Sequence, residues 1–160
     1  MSDSSLRDDG PRARQPLRVL VADKNAHFRE TVRRVLARLG RCVASGEAST
    51  IAEVIAQVTR SRIDLVLLDV EMVTSDRLAE LKRLAKRLPD LKVAVLLSDD
   101  TPEYRQAVLV HGGHFSVAKA NREEQLPAVL GSVSGPDRNV RGLSAHQNQT
   151  NFPPEPVQPT

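Results

Sequence analysis

Tryptophan is absent from this 160-residue chain, and its aromatic side chains are four: Phe28, Tyr104, Phe115 and Phe152. A platform for single-stranded nucleic acid relies on aromatic faces, so the scarcity argues against that function. Cys42 is the single cysteine, which excludes an internal disulfide framework and a cysteine-based zinc site. Its plainest role is that of a small buried hydrophobe in a strand. No apolar run approaches the ~20 residues a membrane span needs. The opening MSDSSLRDDGPRARQP also lacks the apolar core of a secretory signal. The expectation is a cytoplasmic protein without membrane contact. Glycine is missing from the turn ADKNAHF, so neither a dinucleotide fingerprint nor a P-loop can sit there. No serine occupies a Gly-x-Ser-x-Gly elbow, and His27, His111, His114 and His146 have no metal-ligand spacing.

What the chain does have is regular alternation. LRVLVAD, IDLVLLD and KVAVLLS are short, nearly continuous apolar runs, the pattern of parallel strands covered on both faces. RCVAS and HFSVAK read as weaker strands. Between them lie segments of helical period. Asn25 precedes the stripe Phe28, Val32, Val35, Leu36 and Leu39, closed by Gly40. Thr50 and Glu53 form a capping box ahead of Ile51, Val54, Ile55 and Val58. Leu78, Leu81, Leu84, Ala85 and Leu88 make a third stripe, and Thr101-Pro102 starts a fourth helix. A fifth begins within NREEQLPAVL, as late as Leu126 if Pro127 is kept out of its interior. Five β-α repeats predict an α/β domain over residues 17–131, with a five-stranded parallel sheet and helices on both faces. Residues 1–16 and 132–160 are polar and proline-punctuated, and read as a disordered arm and tail. The net charge is +3. The basic stripe of RRVLAR reads as a solvated helix face rather than a DNA-binding one.

In an open parallel sheet, ligands bind beyond the carboxyl ends of the strands. The residues ending the apolar runs are Asp23 and Lys24, Asp69, Ser98, and Lys119. An acid, an acid, a hydroxyl and a lysine make a coherent set around one point.

In that order and spacing, the set resembles the receiver domain of two-component response regulators. LRVLVADKNAHFRETVRRVL is similar to the opening of receivers from LuxR-type regulators, DLVLLDVEM to the strand bearing the phospho-acceptor, VAVLLS to the switch segment, and GGHFSVAK to the lysine segment. The resemblance implies a flavodoxin-like fold with strand order 2-1-3-4-5. It implies Asp69 as phospho-acceptor, Asp23 in the acidic pocket, and Ser98 as switch hydroxyl. Lys119 would contact the phosphoryl group, and the carbonyl of Glu71 would serve as a Mg²⁺ ligand. Output would pass through Tyr104, Val108, Phe115 and Ser116 on the face of the fourth helix, fifth strand and fifth helix, through which two copies could also pair. The implied partner is a sensor histidine kinase or another signalling protein. Any catalysis would be limited to self-catalysed phosphoryl transfer to Asp69 and its hydrolysis. The residues after Gly131 lack the apolar period of a helix-turn-helix, so the expectation is a receiver standing without an output domain and without specific nucleic-acid binding.

Lys24 is the chief departure from the family pattern. It stands where a second metal-binding acid is expected, and an ammonium offers Mg²⁺ no acceptor. The sequence therefore predicts weak Mg²⁺ binding, with Lys24 pairing Asp23 or Asp69 in place of the metal. Val73, Arg77, Ser116 and Ala120 replace a proline, a glycine, the switch aromatic and a second proline. A pseudo-receiver, a protein-interaction module independent of phosphorylation, is the rival reading.

Overall fold

The computed structural model describes residues 15–134. The arm before residue 15 and the tail from 135 onward, read above as disordered, lie outside the described residues. So do the side chains of Ser75, Asp76, Arg77, Leu78 and Leu81.

The elements run β1 (Leu17–Ala22), α1 (Ala26–Leu39), β2 (Cys42–Ala48), α2 (Ile51–Arg60), β3 (Leu65–Asp69), α3 (Ser75–Arg87), β4 (Lys92–Leu97), α4 (Pro102–Val110), β5 (Phe115–Ala118) and α5 (Arg122–Ser134). Short 3-10 turns follow β3 (Val70–Met72) and β5 (Lys119–Asn121). All strand pairings are parallel, in the order β2-β1-β3-β4-β5. This is the expected flavodoxin-like fold.

Alternation along the central strands feeds two cores. Leu20, Val66, Leu68, Val93 and Val95 face Ile51, Val54 and Val58 of α2, Leu84 of α3 and Val108 of α4. Val19, Val21, Leu65, Leu67, Ala94 and Leu96 face Val32, Val35 and Leu36 of α1 and Leu126, Val129 and Leu130 of α5. Because both faces are covered, the strands read as continuous apolar runs.

Local signals act as the sequence suggests. The Asn25 side chain accepts from the backbone N–H groups of His27 and Phe28, and Gly40 closes α1 at φ 69°, a left-handed conformation that glycine adopts without penalty. Thr50 accepts from the Glu53 N–H, while the Glu53 carboxylate reaches back to the Ser49 N–H at 2.8 Å, one residue earlier than a standard capping box. Arg33, Arg34 and Arg38 pair with Glu47, Glu30 and Glu123 on the solvated face of α1 and its surroundings.

Two elements depart from expectation. β2 runs on to Ala48, because its pairing with β1 skips Ser45 in a bulge between the Val19–Ala44 and Leu20–Gly46 partners. α5 starts at Arg122 and carries Pro127 inside it, and it continues past the expected boundary at 131 to Ser134. Pro127 lies in the second turn and is exposed. The helix forgoes one N–H bond there and anchors itself through buried Leu126, Val129 and Leu130.

Candidate functional site

Asp23 and Asp69 are the described residues that are polar yet buried, each 2% exposed. They sit at the carboxyl ends of the neighbouring strands β1 and β3. Isolated buried carboxylates would be costly, so partners are required. Asp23 Oδ1 accepts from the Asn25 N–H at 2.8 Å, and Asp69 Oδ1 from the Glu71 N–H at 3.4 Å. The decisive partner is Lys119, at the end of β5. Its Nζ lies 2.9 Å from Asp23 Oδ2 and 3.1 Å from Asp69 Oδ1. β4 separates β5 from β3 in the sheet, and a long, flexible side chain is what spans that gap. Burial alone would lower the Lys119 pKa, but its hydrogen bonds to the two carboxylates and their charges outweigh this and raise it. The lysine is firmly cationic.

Three residues that sequence reasoning did not assign to the site support it. The Phe28 ring centroid is 4.5 Å from Lys119 Nζ and 5.5 Å from the Arg122 guanidinium carbon, within cation–π range. Arg122 Nη1 donates to the Lys119 carbonyl at 2.7 Å. Arg29 Nη1 donates to the Asp23 carbonyl at 2.6 Å, while its Nε pairs with Glu47 at 3.3 Å. Phe28 was legible only as a core residue, and no sequence signal marked the other two.

Lys24 behaves otherwise than expected. Its side chain is exposed, and it makes no ion pair with Asp23 or Asp69. Strand β1 has ended at Ala22, and Asp23 turns inward while the next side chain turns out. The cation that bridges the carboxylates is Lys119. Ser98 is exposed at the end of β4, and Glu71 is exposed in the turn after Asp69. The expected signalling face divides. Tyr104 is exposed and Val108 is buried. Ser116 is half-buried, and half-buried Phe115 packs toward the α1/α5 core. Leu109 and Val110 are the other exposed large apolar residues of α4. Val108 therefore supports α4 from beneath rather than offering contact surface.

Chemically, Asp69 is a potential nucleophile with a fixed cation beside it, the arrangement that neutralises charge developing on a transferring phosphoryl group. For a divalent metal the donor set is thin. Two carboxylates converge, both held by Lys119, and among the described residues no three His, Cys, Asp or Glu side chains gather as ligands. The anionic oxygens that Mg²⁺ takes are supplied here by Asp23 and Asp69.

Residues 19–131 match the response regulator receiver domain family. The Bacillus subtilis transcriptional regulatory protein YxjL is 32% identical over 88 residues, covering 55% of this chain and 40% of that protein. A second B. subtilis transcriptional regulatory protein, YhcZ, is 26% identical over 110 residues, covering 69% and 51%. The chain thus spans about half the length, or less, of these curated relatives. Among solved structures, the signal receiver domain of the response regulator NarL from Mycobacterium tuberculosis superposes with a TM-score of 0.67 at 27% identity, covering 76% of this chain and 99% of that one.

Proposed function

The chain belongs to the response regulator receiver domain family, and from that premise we propose that it is a phosphorelay switch with Asp69 as acceptor and a pocket that holds Mg²⁺ weakly. Receiver domains take part in two-component signalling, generally bind Mg²⁺ at an acidic pocket, and interact with histidine kinases and other signalling proteins. The observation that carries the acceptor assignment is the double contact of Lys119 Nζ with Asp23 and Asp69. It puts a cation beside a buried carboxylate at the end of a central strand.

The chemistry is a displacement at phosphorus. An Asp69 carboxylate oxygen forms a bond to phosphorus as the bond to the donor breaks. The leaving group, an imidazole nitrogen of phosphohistidine or the acetate of acetyl phosphate, takes the electron pair. Lys119 exchanges part of its contact with Asp69 for the phosphoryl oxygens, and Ser98 at the end of β4 supplies a hydroxyl toward them. Water attack on the acyl phosphate then restores the carboxylate and releases phosphate. Self-phosphorylation and this hydrolysis are the extent of the catalysis.

Weak metal binding is supported by Lys24 and by the two-carboxylate donor set. The same observation favours a second reading, a pseudo-receiver that signals without phosphate. In either case the partner surface includes exposed Tyr104, Leu109 and Val110 of α4. The deciding experiment is intact-mass spectrometry after incubation with acetyl phosphate, with and without Mg²⁺, on wild type and Asp69→Asn. One phosphoryl group on the wild type and none on the variant is the expected result. Equal labelling of the two would sink the acceptor assignment, and no labelling of either would favour the pseudo-receiver.

A further inference from the structure

The amino ends of the strands, opposite the buried carboxylates, carry a row of cations. Arg41 precedes β2, Arg18 lies in β1, Arg62 comes three residues before β3, and Lys92 opens β4. These four strands are neighbours in that order, and adjacent strands lie ~4.8 Å apart, so the row is ~14 Å long. We propose that this edge is a docking surface for the phosphate backbone of double-stranded nucleic acid, bound without regard to sequence. Arg60 and Arg87, in the last turns of α2 and α3, flank the row, because each crossover helix returns the chain to this edge. Among the described residues, the acids here are Asp64 and Asp90. Six cations against two acids is a local excess larger than the net +3 of the whole chain.

Asp64 ties the backbone of the row together. Its N–H donates to the Arg18 carbonyl at 2.9 Å, and the Lys92 N–H donates to the Asp64 carbonyl at 3.0 Å. The Asp64 carboxylate accepts from the Arg18 N–H at 2.9 Å and lies 3.6 Å from Arg62 Nε. The Leu17 N–H donates to the Arg41 carbonyl at 3.0 Å. Cations in the last turn of a helix can simply offset its dipole. That accounts for Arg60 and Arg87, but for none of the four in the row. Arg18, Arg41 and Arg62 are exposed, so their charges point at solvent from a fixed base.

A line of cations matches a line of phosphates better than it matches a lipid surface. Guanidinium groups offer paired N–H donors to phosphate oxygens, and a duplex carries one phosphate charge per ~1.7 Å of its axis, so the row can meet several. A single strand would ask for rings on which to stack its bases. Phe28 and Tyr104 stand in the first turns of α1 and α4, at the opposite edge, and Phe115 packs into the α1/α5 core. Contacts to phosphate carry no sequence information. The surface also leaves Asp69 uncovered at the other end of the sheet, and it does not depend on Asp69 being the acceptor.

The test is fluorescence anisotropy of a labelled DNA duplex of arbitrary sequence, titrated with the full chain between about 50 and 200 mM salt. For wild type, log affinity should fall linearly with log salt, at a slope of about −3 to −4 for four phosphate contacts. Arg41→Gln combined with Arg62→Gln should weaken binding about a hundredfold at the lowest salt and flatten the slope by about 2. Arg18→Gln alone, a milder change, should flatten it by about 1. The control is Arg33→Gln combined with Arg34→Gln on α1, which removes the same net charge and should keep the wild-type slope. Equal losses in the two double variants would mean that net charge alone attracts the duplex, and would overturn the docking row. A wild type that leaves the duplex free at about 50 mM salt would overturn it too. Vesicles containing phosphatidylserine are titrated in parallel. If they, and not the duplex, respond to Arg41 and Arg62, the edge is a membrane surface and the nucleic-acid assignment falls.

Discussion

The ammonium of Lys119 lies 2.9 Å from Asp23 Oδ2, a contact between residues 96 apart in the chain. With Asp69 at 3.1 Å on its other side, the lysine is the electrostatic keystone of the three strand ends. Lys119→Met keeps most of the apolar stem and removes the charge. Two buried carboxylates then face each other uncompensated, so the variant should lose about 2–4 kcal/mol at neutral pH. Lys119→Arg keeps the charge and should lose far less. Urea unfolding measures both variants, and an equal loss in the two would mean that packing, not charge, was removed.

Lys24 leads to a different expectation, because its side chain is exposed and Lys119 already holds the carboxylates. Lys24→Asp should cost little without metal, within about 0.5 kcal/mol, as at most exposed positions. It adds the missing anionic oxygen donor at the pocket's edge. Mg²⁺ should then raise the melting temperature of the variant by about 5 °C or more, and that of wild type by far less. Thermal melts across a Mg²⁺ titration make the comparison. Equal stabilisation of the two proteins would show that the residue at position 24 is irrelevant to the metal.

The sheet was legible because β1, β3 and β4 are buried on both faces, and only continuous apolar runs satisfy that environment. β2 was legible only in its first half, RCVAS, since the bulge at Ser45 breaks its alternation and Gly46-Glu47 looks like a loop. Strand-end logic correctly gathered Asp23, Asp69 and Lys119, because parallel strands bring their carboxyl ends to one edge. The direction of Lys24 was hidden, because it depends on how the backbone turns after β1 ends. The site contacts of Phe28, Arg29 and Arg122 were also hidden: Phe28 showed only as a member of the α1 apolar stripe, and the contacts of all three depend on how separate elements meet.

Pro127 offers a direct check on the corrected start of α5. It occupies an exposed position in the helix interior, where proline gives up an N–H bond to the carbonyl four residues back. Pro127→Ala restores that donor at the expense of a freer unfolded chain. Stability should rise by about 1–2 kcal/mol, read by urea unfolding. A loss would mean that residues 122–126 are not helical in solution, as the sequence alone had suggested.

His114, unassigned by its sequence context, makes a two-sided bond with β4. Its N–H donates to the Val93 carbonyl at 2.8 Å, and its Nδ1 accepts from the Val93 N–H at 3.0 Å. Nδ1 must therefore be unprotonated, which makes the neutral ring the form that completes the ladder. Burial, with the Lys92 charge adding to it, holds the pKa below the ordinary 6.5. A depressed pKa means that the unfolded chain binds more protons in the window below 6.5, so stability rises with pH there. The contribution of His114 is fully present above that window and is lost as pH falls through the folded-state value. His114→Gln keeps an acceptor for the Val93 N–H but does not titrate. Wild-type stability minus that of the variant, from urea unfolding between pH 8 and pH 5, should be constant at the upper end and fall progressively toward the lower. A difference independent of pH would place the accepting nitrogen elsewhere and leave the β4–His114 bond without its pH dependence.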